Sequence, residues 1–341
     1  MIDESPKRAA TLNDVAERAR VSLATASKAL NGRADVAERT RERVLAAAAA
    51  LEFTPNAVAR GLTSGRTGTV GLLTSDLEGR FMIPILMGAE DAFGAGKIDV
   101  FLCDARGDAV REQHHLRALL SRRVDGIIVV GDNTDPRPSL GRNLPVPVVY
   151  AYAPSDDPKD LSLTPDNVTG GQEAIEHLVA CGRSRIAHIG GDPAYAAARD
   201  RLKGAQQALA AAGLSFVGTP MLSEWSERWG RAATAMLLDR HPEIDAIFCG
   251  SDQIARGALD VARDLGRDVP ADIAVMGYDN WTLLAEASRP ELTSVDANLQ
   301  ELGRAAAQRI FDALDGTQQQ PRGVHHLPVR TVIRGSTVPR R

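Results

Sequence analysis

Ser22, Thr25, Ser27 and Lys28 crowd into the stretch SLATASKAL. Three hydroxyls and an ammonium at that density offer donors and acceptors to a polar partner, where a helix buried in a core needs apolar side chains. Ala26, Ala29 and Leu30 interleave with them and are free to pack. Two readings stand at this point: a structural helical hairpin, or a helix with one face that packs and another that hydrogen-bonds to a large charged ligand.

No constellation for catalysis accompanies them. The sequence has no GxGxxG after its first apolar run, no Walker loop, no GxSxG and no HExxH. Its seven histidines include the pairs His114-His115 and His325-His326, neither in a triad-like context, and both read as ordinary surface or core residues. Cys103, Cys181 and Cys249 are odd in number and lack metal-ligand spacing. Core packing in a reducing compartment explains them, and neither metal nor cofactor is expected.

Charge is unevenly spread. The formal net charge is −4, yet residues 1–66 hold eleven Lys or Arg against eight Asp or Glu, about +3, leaving the remainder near −7. A cationic end on an acidic body suggests that only that end touches nucleic acid. A chain of 341 residues has room for a small module and a large body. No apolar run reaches the roughly eighteen residues of a membrane helix. The opening MIDESPKRAA lacks the apolar core of a secretory signal, which predicts a cytoplasmic protein with no membrane partner.

The elements that must hold these residues follow from periodicity. Thr11 can cap a helix whose apolar positions Leu12, Val15, Ala16 and Ala19 recur at helical spacing, with Asp14 in its first turn. Ser22 can cap a second helix, Leu23 to Leu30, with Asn31-Gly32 as a left-handed exit. A third, Glu38 to about Leu51, presents Val44, Leu45, Ala48 and Leu51 and closes a three-helix core. Beyond Pro55, residues 56–62 can form only a short helix, unstable alone. From Thr69 apolar runs such as TVGLLT, VDGIIVV, PVVYA, RIAHIG and IAVMG alternate with amphipathic segments such as Arg111 to Leu120 and Gly170 to Ala180. That texture is α/β, with βαβ units and parallel sheets. A break near Leu161 to Asn167 divides it into two similar halves, as expected for two doubly wound lobes around a cleft.

The stretches TLNDVAERARVSLATASKALNG and TRERVLAAAAALEFTPNAVARGL, continuing into TVGLL, resemble the headpiece and hinge of the lactose-repressor (LacI) family. The resemblance implies a helix-turn-helix DNA-binding headpiece over 1–53, a hinge helix and linker over 54–66, and a two-lobed, periplasmic-binding-protein-like effector and dimerisation domain over 67–341. It implies that Leu23, Ala24 and Lys28 meet base edges, with Thr11, Ser22, Thr25, Ser27 and Asn31 also on the DNA side. Lys28 can donate to guanine O6 or N7, whereas Leu23 and Ala24 offer only apolar contacts, so direct readout is expected to be lean. The lactose repressor itself has a tyrosine-glutamine pair where this chain has Leu23-Ala24. By the same resemblance Asn56, Ala59, Arg60 and Leu62 belong to a hinge that folds in the minor groove, Leu62 wedging into the central base step. A linker leucine tucked onto the body is the plainer alternative.

The body resembles the same family over TPDNVTGGQEAIEHLVACGRSRIAHIGG, IDAIFCGSDQIARGAL and DIAVMGYDNW. That resemblance assigns Phe81, Tyr195, Arg201, Trp225, Ser251, Asp252, Asp279 and Trp281 to an interlobe pocket. Sugar recognition needs an aromatic face for the ring and a carboxylate with a guanidinium for vicinal hydroxyls, a set that Trp225, Asp279 and Arg201 supply. Simpler accounts exist for each: Trp225 and Trp229 as an i, i+4 core stripe, Arg201 or Asp279 as members of structural ion pairs. Ala151 stands where the lactose and purine repressors carry an aspartate, and Ser251 replaces the asparagine of the lactose repressor, so hydroxyl contacts are lost or met elsewhere, as through Tyr152. The implied protein is a homodimeric regulator bound to operator DNA, a repressor by default, governed by a sugar-like effector. The tail after Ile333 is too short, and lacks the heptads, for a tetramerising helix. Two rivals are weaker: a sugar-carrying solute-binding protein predicts a signal peptide and no basic headpiece, and an α/β enzyme requires a catalytic constellation.

Overall fold

The computed structural model describes residues 10–30, 35–53, 66–75, 77, 79–94, 98–316 and 321–338. The chain divides into two compact units, Met1–Gly68 and Thr69–Arg341.

The first unit contains α1 (Leu12–Ala19), α2 (Leu23–Leu30) and α3 (Glu38–Ala50). A reciprocal capping box starts α1: Thr11 Oγ1 accepts from Asp14 N at 3.4 Å, and Asp14 Oδ2 accepts from Thr11 N at 2.7 Å. Arg20, in the left-handed region at φ 52°, ends the helix. Ser22 Oγ then accepts from Thr25 N at 3.2 Å to begin α2. Val15, Ala16 and Ala19 pack against Ala26 and Ala29 of α2 and against Val44, Ala47 and Ala48 of α3. Leu45, expected on that buried face, is 48% exposed. One residue beyond Val44 is a rotation of about 100°, which carries Leu45 off the stripe formed by 44, 47 and 48. A core this small leans on its caps. Thr11→Ala is therefore expected to cost the unit about 1 kcal/mol, read as faster amide hydrogen exchange along α1 in the intact chain.

The second unit holds two six-stranded sheets. The first uses β1 (Thr69–Thr74), β2 (Asp99–Asp104), β3 (Gly126–Val130), β4 (Val148–Ala151), β5 (Leu161–Pro165) and β11 (Gly323–Leu327). Their order is β2-β1-β3-β4-β5-β11, parallel throughout. Helices α4 (Met82–Phe93) and α11 (Leu299–Asp315) cover one face and α5 (Ala109–Ser121) the other. The second sheet uses β6 (Ile186–Gly190), β7 (Met221–Leu222), β8 (Ala246–Cys249), β9 (Ala274–Tyr278), β10 (Thr293–Asp296) and β12 (Arg330–Val332). Its order is β7-β6-β8-β9-β10-β12, parallel except for β12 on β10. Here α6 (Asn167–Ala180) and α7 (Ala196–Ala211) cover one face, and α8 (Glu227–Arg240) and α9 (Asp252–Asp264) the other; α10 (Thr282–Ala285) follows β9.

The two lobes are not sequential halves. The chain passes between them after β5, after β10 and again after β11, so the segment 161–167 read as a boundary is a buried strand followed by the first crossover. Strand order reverses around β1 in one sheet and around β6 in the other, and a crevice forms outside the carboxyl ends of strands at such switch points.

Candidate effector site and nucleic-acid face

Those carboxyl ends enclose a cleft of about 370 Å³. The first lobe lines it with Gly79, Arg80 and Phe81 after β1, Asp132, Asn133 and Thr134 after β3, and Tyr152 after β4. The second lobe contributes Tyr195, Ala197 and Arg201 at the start of α7, Trp225 before α8, Gln253 on α9, and Asp279 and Trp281 after β9.

Asp279 is the electrostatic hub. Its Oδ1 lies 3.2 Å from Arg201 Nη2 and its Oδ2 2.5 Å from Arg80 Nη2. Arg201 is 3% exposed. Burial is the largest single influence and works against its charge, but the Asp279 carboxylate, with lesser help from Tyr278 and Tyr152, carries the guanidinium above its ordinary value. Arg201 also donates from Nε to Asn167 Oδ1 at 2.9 Å and from Nη1 to Gly250 O at 2.6 Å, with its guanidinium 3.6 Å over the Tyr278 ring. Close packing of α6 on α7 places it there: a Cβ on Gly171 would meet Arg201 O at 2.1 Å.

The aromatic walls are as tightly set. Trp225 lies on the backbone of Gly191, where a Cβ would sit 2.1 Å from the indole, and meets Tyr195 edge-on at 6.3 Å. Phe81 stacks on Tyr152 at 4.7 Å. Tyr152 and Asp279 both occupy positive φ, 75° and 97°, a conformation that costs on the order of 1–3 kcal/mol at a non-glycine residue and gathers at functional sites. Thr134 Oγ1 is buried and finds no hydrogen-bond partner among the described residues.

Of the residues assigned to this pocket, Phe81, Tyr195, Arg201, Trp225, Asp279 and Trp281 come together in it. Ser251 and Asp252 do not: both are fully buried behind its wall. Ser251 Oγ caps α9, accepting from Ile254 N at 3.3 Å. Asp252 accepts from Trp281 N and from Ser294 Oγ, each at 2.6 Å. Burial, with Asp279 adding to it, pushes the Asp252 carboxyl up to about 8. The core-stripe account of Trp225 holds in part: Trp225 and Trp229 both pack against the core of the second lobe, but α8 starts at Glu227, so only Trp229 is on that helix, with Nε1 donating to Gly190 O at 3.0 Å, and Trp225 also lines the cleft. Arg201 and Asp279 are ion-paired and line the cleft as well. Arg80, Asn133, Thr134 and Gln253 were not anticipated.

On the headpiece, Ser22, Leu23, Ala24 and Lys28 of the α2 segment are exposed, Thr25 and Ser27 are half-buried, and Ala26 and Ala29 are buried beneath them. Leu23 is 48% exposed, an apolar side chain left in solvent at the first residue of the helix. Lys28 Nζ pairs with Asp35 Oδ2 at 2.6 Å, both side chains more than half exposed, so the pair is weak and readily exchanged. Thr11 is half-buried, and its hydroxyl donates to Asp14 Oδ2 at 2.7 Å. Asn31, at the exit of α2, and Asn56, Ala59, Arg60 and Leu62, with the hinge helix to which these four belong by the resemblance, lie outside the described residues. Among the described residues no cluster of His, Cys, Asp or Glu could hold a metal ion, and no helix is long and apolar enough to cross a membrane.

Comparison with known proteins places this geometry. The pattern described as "Bacterial regulatory proteins, lacI family" matches residues 11–56, and that of a "Periplasmic binding protein-like domain" matches residues 175–337. Catabolite control protein A of Priestia megaterium is 33% identical over 96% of this chain and 99% of its own. The HTH-type transcriptional regulator CelR of Thermobifida fusca is 34% identical over 92% of this chain and 95% of its own. Among solved structures, a complex of the transcriptional regulator CelR with cellobiose is 31% identical with a TM-score of 0.63, covering 96% of this chain and 99% of that one. The Lac repressor dimer bound to operator and the anti-inducer ONPF is 28% identical with a TM-score of 0.73, covering 97% and 100%. Helix-turn-helix headpiece, two-lobed body and full-length relatives agree: the chain belongs to the lacI family of bacterial DNA-binding transcription regulators, and its relatives are regulators, not enzymes.

Proposed function

We propose that this regulator is a homodimeric, cytoplasmic repressor whose hold on its operator is set by a sugar or sugar derivative in the interlobe cleft. The observation that carries the effector class is the cleft's chemistry: the Tyr195 and Trp225 rings stand beside the Asp279 carboxylate, the Arg201 guanidinium and the Thr134 hydroxyl, which has no hydrogen-bond partner among the described residues. Aromatic faces take the apolar side of a pyranose, and the polar groups take its hydroxyls. The CelR–cellobiose complex and the operator-bound Lac repressor dimer support the same reading by kinship.

In this reading residues 1–53 form the headpiece, 54–66 the hinge and 67–341 the effector and dimerisation domain. Lys28, Leu23 and Ala24 face bases, while Ser22, Thr25, Ser27 and Asn31 stand near phosphates. Asn56, Ala59, Arg60 and Leu62 act in the minor groove. The effector changes operator affinity by as much as its affinities for the two lobe arrangements differ.

Selection of a preferred duplex from random sequence, followed by fluorescence anisotropy at several salt concentrations, tests this. Affinity falls steeply with salt, because phosphate contacts release counterions. Leu62→Ala, which removes the wedge, weakens operator binding about tenfold, or 1.4 kcal/mol. A chain that prefers no sequence, or whose binding ignores both salt and every sugar tried, does not work this way.

A further inference from the structure

A second cavity, of about 340 Å³, adjoins the first, and the two share one wall: Arg80, Phe81, Asp279 and Trp281. Beyond that wall the second cavity runs between α4, at Pro84 and Met87, and the crossover residue Asn298. Arg80 is the long, flexible member of the wall and the one that spans the lobes. It leaves the first lobe after β1, and in the second lobe its Nη1 donates to Gln253 Oε1 at 3.0 Å and its Nη2 reaches Asp279 Oδ2. Its guanidinium lies 4.8 Å from the Phe81 ring centre and 5.1 Å from that of Trp281.

Each cavity alone sits near the lower end of the range for small-molecule sites, about 300–1,000 Å³; joined, they would reach its middle. We infer that Arg80 partitions one continuous cleft and so sets the length of the effector: with the guanidinium in place a single-ring sugar fits beside Trp225, and a two-ring saccharide is shut out of the second compartment. This rests on the sugar reading above and sharpens it. Displacing Arg80 is costly for a neutral ligand. The charge-assisted bond to Asp279 would give way to a hydroxyl bond roughly half as strong, and the guanidinium would leave two aromatic faces.

The test uses the full-length wild type, Arg80→Ala and Arg80→Lys. Each is screened by thermal shift and titration calorimetry against glucose, galactose, xylose and ribose, and against cellobiose, maltose and lactose. The wild type is stabilised by a single-ring sugar and by none of the disaccharides. Arg80→Ala gains a disaccharide at least tenfold more tightly than the wild type, whereas Arg80→Lys, which keeps a long cation, still excludes it. Disaccharide binding by the wild type as tight as by Arg80→Ala overturns the inference alone, and so does an alanine variant with unchanged length selection. Should Arg80→Ala fail to fold, the wild-type arm and Arg80→Ser decide by the same criteria. Silence of every protein to sugars of both lengths overturns the sugar reading and the inference with it.

Discussion

Arg201→Met is expected to destabilise the effector-binding unit by about 3–5 kcal/mol, the penalty for removing one partner of a buried ion pair. Methionine keeps much of the packing volume, so the loss is mainly electrostatic. Arg201 ties three segments together at one point: Asn167 at the start of α6, Gly250 beyond β8 and Asp279 beyond β9. Without it Asp279, only 9% exposed, keeps Arg80 as its counter-ion at one oxygen, and the Asn167 side chain, 5% exposed, loses the donor to its Oδ1. Denaturant unfolding followed by tryptophan fluorescence reads this unit alone, because Trp225, Trp229 and Trp281 all belong to it. The double variant Arg201→Met/Asp279→Asn is expected to regain part of the loss, since it removes the carboxylate left with Arg80 alone, and only part, since Arg80 loses its partner in turn. A single variant as stable as the wild type would mean that the pair contributes no more than packing.

How far the sequence carries one toward these arrangements depends on how local their causes are. Helices α1 and α2 are legible because each boundary is written within four residues: the Thr11–Asp14 box, and Ser22 beneath Thr25. Leu45 misleads because an alanine-rich helix offers several apolar stripes of nearly equal strength, and only contact with α1 and α2 chooses the one through Val44 and Ala48. In the body, β1, β3, β4, β6, β8 and β9 announce themselves as apolar runs buried on both faces. The strand β5 interrupts its apolar run with Ser, Thr and Pro, while β7, β10, β11 and β12 lie at or beside sheet edges, where pairing supplies what hydrophobicity does not. The return of α11 and β11 to the first lobe is a long-range event with no local signal.

The cleft divides in the same way. Phe81, Tyr195, Arg201, Trp225, Asp279 and Trp281 are spread over 201 positions and no spacing rule joins them; kinship to a family does. Asn133 and Thr134 carried a readable signal, a polar GDNT immediately after the buried run GIIVV, where strand ends in this fold class meet ligands. The interchange of Asp252 and Gln253 is a matter of helical rotation. Neighbours on α9 differ by about 100°, so while Asp252 turns inward to Ser294 and the Trp281 backbone, Gln253 faces the cleft.

The inward turn of Asp252 gives the effector-binding unit a stability maximum near pH 6.5, with a decline of about 1 kcal/mol between there and pH 8. In the native state burial pushes this carboxyl up from 3.8 to about 8, so the native state holds a proton that the unfolded chain releases, and stability falls with rising pH across that interval. His188 acts in the opposite sense. Burial lowers its imidazole from 6.5 to about 4, the unfolded chain binds the extra proton, and stability rises with pH up to 6.5. Burial holds His177 below its ordinary value too, and its contribution is likewise confined below that limit. Beneath pH 6.5 the histidines therefore offset or outweigh Asp252; above it their contribution fades and the carboxyl dominates, with a slope that stays below its limit of about 1.4 kcal/mol per pH unit and eases as pH nears 8. Asp252→Asn, which stays neutral throughout, is expected to abolish the decline. Unfolding free energies of both proteins at pH 6.5, 7.2 and 8 decide the matter: a wild type that holds steady or gains stability over this range, or a variant that declines in parallel, would show that Asp252 is ionised in its buried site and is held there by Ser294 and the Trp281 amide.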